Sequence, residues 1–149
     1  MQYTIKGLKE FVGMEDGGFN LTLLCDGKKV ATSIYGGDGG ETMTDFDKKS
    51  DEKVFKDFLK TLPLEKSEYF PEGLAVTPDI FIWGLIEKYK EEKQLKRWCK
   101  TKVVVKKKGA EEGVYCTFSR PYSKEFADKL RATRPEIIEI INERFLEVA

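Results

Sequence analysis

The dipeptide Asp26-Gly27 is the feature that most constrains the fold of this chain. It separates two segments in which apolar and polar residues alternate, residues 19–25 and 29–35. Because glycine accepts the positive φ that a tight turn needs, this pattern predicts an antiparallel hairpin. A looser alternation over residues 2–12 predicts a strand before the hairpin, and residues 41–46 predict a short strand after it. The chain is therefore expected to begin with an antiparallel β-meander.

Helical periodicity follows the meander. One apolar stripe predicts a first helix that Pro63 ends and that covers the inner face of the meander. The stripe consists of Val54, Phe55, Phe58, Leu59 and Leu62. Thr77-Pro78-Asp79 is typical of a helix start, and the apolar run after it predicts a central helix. The predicted fold class is α+β, in one domain of residues 1–149: meander and helix, a second helix, a basic β-hairpin and two C-terminal helices.

The segment from Lys93 to Lys108 carries eight basic residues and no acid. The whole chain has 26 basic and 26 acidic residues, so its formal net charge is zero. The remaining 18 basic residues face all 26 acids, which gives the rest of the chain a net charge of −8. Such a separation of charge attracts partners of the opposite sign to the basic region.

The period of this segment changes from helical to alternating near Lys100. Leu95, Trp98 and Cys99 have helical spacing, whereas the lysines after them alternate with other residues as in a strand. The alternation predicts a strand face of lysines beside an exposed tyrosine on the returning strand. Lysines on one strand face repeat about every 6.6 Å and match a row of phosphates or carboxylates. The predicted binding residues are Lys93, Lys96, Arg97, Trp98, Lys100, Lys102, Lys106, Lys108, Tyr115 and Arg120.

Two other interpretations of the lysines remain open. They can form a solvated outer face, or they can protect an exposed strand from edge-to-edge pairing. The sequence contains no RRM, KH, zinc-finger or basic-zipper signature that would favour one class of nucleic acid.

Catalytic and metal-binding chemistry find little support in the residues. The chain has no histidine, which removes the commonest general base and the commonest metal ligand. The three cysteines, Cys25, Cys99 and Cys116, form no C-x-x-C pair and are typical of reduced, small buried residues. We expect no enzyme activity, no catalytic residue, no metal and no cofactor. The N-terminus lacks an apolar signal region, so we expect a cytoplasmic protein without membrane contact.

Two further features have a structural and a functional interpretation. Gly36–Gly40 holds four glycines around Asp38 and is either a flexible connection or an anion-binding loop. Acids in and after it (Asp38, Glu41, Asp45 and Asp47) do not have the spacing of a calcium-binding loop. The last predicted helix has a broad apolar face, which is either buried within the chain or used in a homodimer. That face consists of Ile137, Ile138, Ile140, Ile141, Phe145 and Val148.

Several stretches resemble small uncharacterised proteins encoded by bacteriophages and mobile elements. These stretches are DGKKV with GGDGG after it, FKDFLKTLP, and above all KQLKRWCKTKVVV. The resemblance covers most of the chain and assigns a role to no particular residue. It implies a setting, because small proteins of such elements often inhibit host defence.

The resulting hypothesis is a non-enzymatic accessory protein that inhibits a component of bacterial host defence, as anti-CRISPR proteins do. Its basic surface would contact an acidic protein surface or a guide RNA in the cytoplasm of the host. One alternative is a sponge for a nucleotide signal, in which Trp98 or Tyr115 stacks on the base and the Gly36–Gly40 loop closes over the ligand. Another is a general RNA- or DNA-binding protein, whose affinity falls steeply with salt.

Overall fold

The structure is a computed structural model that describes residues 1–15 and 17–146. Its internal contacts group the chain into two compact units, with the division between Glu87 and Lys88, inside a helix. The prediction of one domain stays a prediction.

The first unit opens with the predicted meander. Its strands are β1 (Tyr3–Val12), β2 (Gly17–Cys25), β3 (Lys28–Tyr35) and β4 (Met43–Phe46), all antiparallel and in the order β1-β2-β3-β4. Asp26 and Gly27 turn between β2 and β3 with φ of 50° and 84°. These two residues form the turn of the hairpin that the sequence predicted. The predicted meander is therefore confirmed.

Helix α1 (Lys49–Lys60) supplies an aromatic core for this unit. Phe55 is fully buried, and its ring lies 5.1 Å from the ring of Tyr3 and 5.3 Å from that of Phe46. The predicted stripe is confirmed at Phe55, Phe58 and Leu59, whereas Val54 remains 41% exposed. The helix ends at Lys60, so Leu62 lies beyond it. Truncating one buried aromatic side chain of this size to alanine typically lowers the free energy of unfolding by about 3–5 kcal/mol.

Helix α2 runs without interruption from Pro78 to Cys99. Thr77 caps it, because the amide of Ile80 donates to Thr77 Oγ1 at 3.2 Å. In its first half Ile82 is fully buried, whereas Trp83 is 38% exposed and contacts Phe19 edge to face. The predicted apolar start of this helix is therefore core on one side only.

The second unit contains a smaller antiparallel sheet. Its strands are β5 (Val103–Lys107), β6 (Cys116–Phe118) and β7 (Ile137–Ile140), in the order β6-β5-β7. Strands β5 and β6 are the predicted basic hairpin. Helix α3 (Lys124–Thr133) is also confirmed, with Ser123 accepting from the amide of Phe126 at 3.2 Å. A short 3-10 helix, Ile141–Phe145, follows β7.

The prediction of a second C-terminal helix is wrong. Residues 137–140 form β7, and Val105 of β5 pairs with Ile140. Isoleucine is branched at Cβ and packs well on a pleated surface, so the free edge of β5 outweighs the helical spacing of this segment. Ile140 and Ile141 are buried within the chain, and Ile138 is exposed. The homodimer predicted through this helix loses its structural basis, and Val148 lies outside the described residues.

Strand β5 is covered on both faces. Val103 and Val105 pack in a cluster with residues of α3 and β7, among them Leu130. Val104 points to the other face and packs in a second cluster with Leu95 of α2 and Ile141. All three valines are fully buried, so neither face of β5 is an open surface.

Asn142 fixes the turn between α2 and β5. It is 3% exposed, and its Oδ1 accepts from the amide of Val104 at 2.8 Å. Its Nδ2 donates to the carbonyl of Lys102 at 2.8 Å and to that of Cys99 at 3.4 Å. One buried amide therefore satisfies a donor and two acceptors where the helix ends and the strand begins.

Replacing Asn142 with alanine tests this function of the side chain. We expect Asn142→Ala to lower the free energy of unfolding by about 3 kcal/mol, because it leaves buried backbone groups without partners. Urea unfolding followed by circular dichroism measures the change. Asn20→Ala, at an exposed position of β2, is the control and should change stability by less than about 0.5 kcal/mol. Equal losses in the two variants would contradict the assignment.

Candidate functional site

Four basic side chains share one face at the end of α2. Lys93, Lys96 and Arg97 lie within an arc of about 100° around the helix axis, given 3.6 residues per turn. Lys100 continues this face in the turn after the helix, where its amide donates to the carbonyl of Arg97 at 3.3 Å. All four are exposed. This set is called the basic strip below.

The apolar positions of the same helix segment explain the direction of the basic strip. Leu95 is 2% exposed and packs against Val104 and Ile141, with Trp98 and Cys99 beside it. These positions lie on the side of the helix opposite Lys93. Burial of Leu95 therefore points the basic strip to solvent.

The basic strip has no carboxylate partner among the described residues. None of its side-chain nitrogens lies within 4.0 Å of a carboxylate oxygen of these residues. Lysines of α1 contrast with it, since Lys56 pairs with Glu52 at 2.9 Å and Lys60 with Asp57 at 4.0 Å. Basic residues in a last turn also complement the helix dipole, but that effect fades within one turn and does not account for Lys93.

Two members of the basic strip lie over aromatic rings instead. The ammonium of Lys93 lies 5.4 Å from the centre of the Tyr89 ring, and that of Lys96 lies 5.6 Å from the centre of the Phe145 ring. Such contacts contribute about 0.5–1 kcal/mol at exposed sites. They hold the two side chains near the surface without neutralising their charge.

The predicted open face of lysines on the strand is wrong. It was expected to show Lys100, Lys102, Lys106 and Lys108 around Val104, but Val104 is buried and the strand extends only from Val103 to Lys107. Lys102 and Lys106 are half-buried. Alternation of apolar and polar residues predicts a strand with only one face buried. In β5 the second face is also buried, because the end of α2 and the 3-10 helix cover it. The uninterrupted Val103–Val105 run was the signal for a strand buried on both faces.

Carboxylates occupy the neighbourhood of Lys106. Its cross-strand partner on β7 is Glu139, which accepts two hydrogen bonds from Arg144, from Nε at 2.6 Å and from Nη2 at 2.8 Å. The bonds from Arg144, with a smaller contribution from the charge of Lys106, hold the pKa of Glu139 below its ordinary value. Lys106 therefore has one carboxylate nearby, but that carboxylate is bound by Arg144.

Both of the rings predicted to stack on a base are half-buried. Tyr115 was expected to be exposed, but it is half-buried and its hydroxyl donates to Glu91. This bond is the main cause that raises the pKa of Tyr115. Trp98 is half-buried against the cluster of Leu95 and Val104.

The two remaining predicted residues lie apart from the helix. Lys108 is exposed after β5, and its amide donates to the carbonyl of Glu136 at 2.7 Å. Arg120 follows β6 and is exposed, with its guanidinium carbon 4.0 Å from the centre of the Phe126 ring.

The glycine loop of the first unit uses its own amides. Gly39 donates to the hydroxyl of Tyr35 at 3.2 Å, and Gly40 donates to Asp38 Oδ1 at 3.0 Å. An anion at this loop would compete with the carboxylate of Asp38. The loop is better described as a connection than as an anion site.

Neither a metal site nor a disulfide is found in the described part of the chain. No group of three or more histidine, cysteine, aspartate or glutamate side chains within residues 1–15 and 17–146 could hold a metal ion. Cys25, Cys99 and Cys116 are free thiols and half-buried. Burial raises the pKa of Cys99, against the lowering effect of Arg144.

Comparison with known proteins gives no relative: no protein-family model, no curated protein and no solved structure matches this chain. Within the described residues, none of the helices is long and apolar enough to span a membrane.

The pair of Glu139 and Arg144 should make stability depend on pH. Because the folded-state pKa of Glu139 is lowered, its contribution is fully present above the unfolded value of 4.5 and is lost as pH falls through the folded value. We expect Glu139→Gln to lower the free energy of unfolding by about 1 kcal/mol at pH 6, a discounted figure for a pair that is partly exposed.

Urea unfolding of wild type and variant at pH 6 and at about pH 3 measures the effect. The difference between them should shrink toward zero at the lower pH. Glu112→Gln, in the exposed turn before β6, is the control and should show no such trend. A difference of the same size at both pH values would contradict the pairing.

Proposed function

We propose that this chain is a non-enzymatic binding protein that holds the phosphate backbone of a nucleic acid against the basic strip. The observation that carries the proposal is the absence of any carboxylate partner for four exposed cations on one helix face, within the described residues. A local excess of positive charge on a solvent-exposed surface attracts polyanions and raises the rate at which they associate with the protein.

The dimensions of the basic strip suit a polymer of phosphates. A helix rises 1.5 Å per residue, so α2 extends about 9 Å from Lys93 to its last residue, Cys99. Lys100, in the turn that follows, lengthens the basic strip to about 10.5 Å. One nucleic-acid strand carries a phosphate about every 3.4 Å of the duplex axis, and the strip therefore spans about three nucleotide steps. Contacts of this kind position a protein on nucleic acid without reading its sequence.

A sponge for a single nucleotide receives less support. It needs a ring that stacks on the base, whereas Tyr115 is tied to Glu91 and Trp98 packs in the core cluster. It also needs the Gly36–Gly40 loop to donate amides, and those of Gly39 and Gly40 already have acceptors.

The resemblance to phage-encoded proteins supplies the proposed setting. In that setting the bound backbone belongs to a nucleic-acid-containing complex of bacterial host defence, such as its guide RNA, and binding in the host cytoplasm inhibits that complex. The basic strip supports the chemistry of the proposed contact, and the setting that the resemblance implies supports the choice of target.

Removing the four charges together tests the proposal. We expect the variant Lys93→Gln, Lys96→Gln, Arg97→Gln, Lys100→Gln to bind a labelled 20-nucleotide RNA or its duplex at least about 100-fold more weakly at 100 mM salt, because it loses the counterion release of four phosphate contacts. Fluorescence anisotropy measures the affinity, and circular dichroism checks that the variant is folded.

Helix α1 offers a matched control. The variant Lys49→Gln, Lys53→Gln, Lys56→Gln, Lys60→Gln removes four exposed lysines from another helix, where acids neutralise two of them. It should keep most of the wild-type affinity. Equal affinity of wild type and the variant of the basic strip would contradict the proposal. Binding of poly-glutamate but of no nucleic acid would instead identify an acidic protein surface as the target.

A further inference from the structure

We infer that the nucleic acid bound by the basic strip is a duplex, contacted through its backbone alone, rather than a single strand. This inference rests on the proposed function and specifies its ligand. The evidence for a duplex is the low exposure of the aromatic rings in the second unit and the contacts that these rings make.

Two rings beside the basic strip lie under its own cations. Lys93 places its ammonium over Tyr89, and Lys96 places its ammonium over Phe145. A base that stacked on either ring would have to displace a charge that the same site needs for phosphate.

The same pattern extends through the rest of the second unit. Phe126 lies under Arg120 and Phe118 under Arg134, with the guanidinium carbon 4.0 Å and 5.5 Å from the ring centres. The hydroxyls of Tyr115 and Tyr122 donate to carboxylates, those of Glu91 and Glu143. Together with Trp98, these are the seven aromatic residues of this unit in the described part of the chain, and none of them is exposed.

A single strand therefore finds charge here but no exposed aromatic ring in the described part of this unit. Proteins that bind single strands gain about 1–3 kcal/mol from each base that stacks on an aromatic ring, and this gain is absent. A duplex needs no stacking, because its bases are already paired. Over the 10.5 Å of the basic strip, it presents about six phosphate charges, against about three on one of its strands.

Salt dependence distinguishes the two ligands. Four phosphate contacts on a duplex give a slope of log K against log salt near −3.6, and on a single strand near −2.8. Raising salt from 50 to 200 mM should therefore weaken duplex binding by about 150-fold and single-strand binding by about 50-fold.

The experiment compares a 20-base-pair duplex with one of its strands alone, by anisotropy across this salt range. DNA and RNA duplexes form two arms. We expect the dissociation constant of the duplex to be at least about fivefold lower than that of the single strand at 50 mM salt, since its phosphate density is higher. The variant Tyr89→Leu, which removes the ring under Lys93, should change either constant by less than about twofold, because no base stacks there.

The outcomes separate the inference from the proposal that it rests on. If both ligands bind through the basic strip and the single strand binds as tightly as the duplex, only the duplex inference is overturned. A loss of more than about fivefold in single-strand affinity for Tyr89→Leu also overturns it, since that loss is the size expected of a stacked base. If neither ligand binds, or if the variant of the basic strip binds as wild type does, both are overturned.

Discussion

Burial of β5 on both of its faces is the constraint on which the second unit depends. A strand of three valines needs apolar cover on each side, and α3 covers Val103 and Val105. The other side is covered where Leu95 packs on Val104, and Asn142 fixes the backbone between these two residues. The direction of the basic strip is a consequence of this packing. The surface proposed to bind a partner is thus set by the core rather than by any contact among its own charges.

The eight basic residues of residues 93–108 fall into two electrical environments. Toward β7, Lys106 lies beside Glu139, which Arg144 also contacts, and the carboxylate there is shared among cations. Along α2, the members of the basic strip form no ion pair among the described residues. The two parts carry the same formal charge per residue. All four cations of the basic strip are exposed, whereas Lys102, Lys106 and Lys107 are half-buried.

Aromatic rings and cations combine in this unit in a way that bears on recognition. Where a ring is near a basic side chain, the cation lies over the ring, as with Lys93 on Tyr89 and Arg120 on Phe126. This arrangement leaves positive charge at the surface and removes the ring face from it. It favours ligands that offer phosphates over ligands that offer bases. For this reason we propose contact with the backbone of the ligand, although the sequence alone had placed tryptophan and tyrosine among the binding residues.

The sequence by itself determined the elements whose signals are local. Asp26-Gly27 fixed a hairpin through its backbone conformation, and the spacing of Phe55 and Leu59 fixed the face of α1. The tertiary structure decided what depends on partners distant in the chain. Residues 137–140 became a strand because the edge of β5 was free, and Val104 was buried because a helix end lay over it. Helical spacing in α2 already grouped Lys93 with Arg97, but only packing decided that this face, and not the strand, remains open and positive.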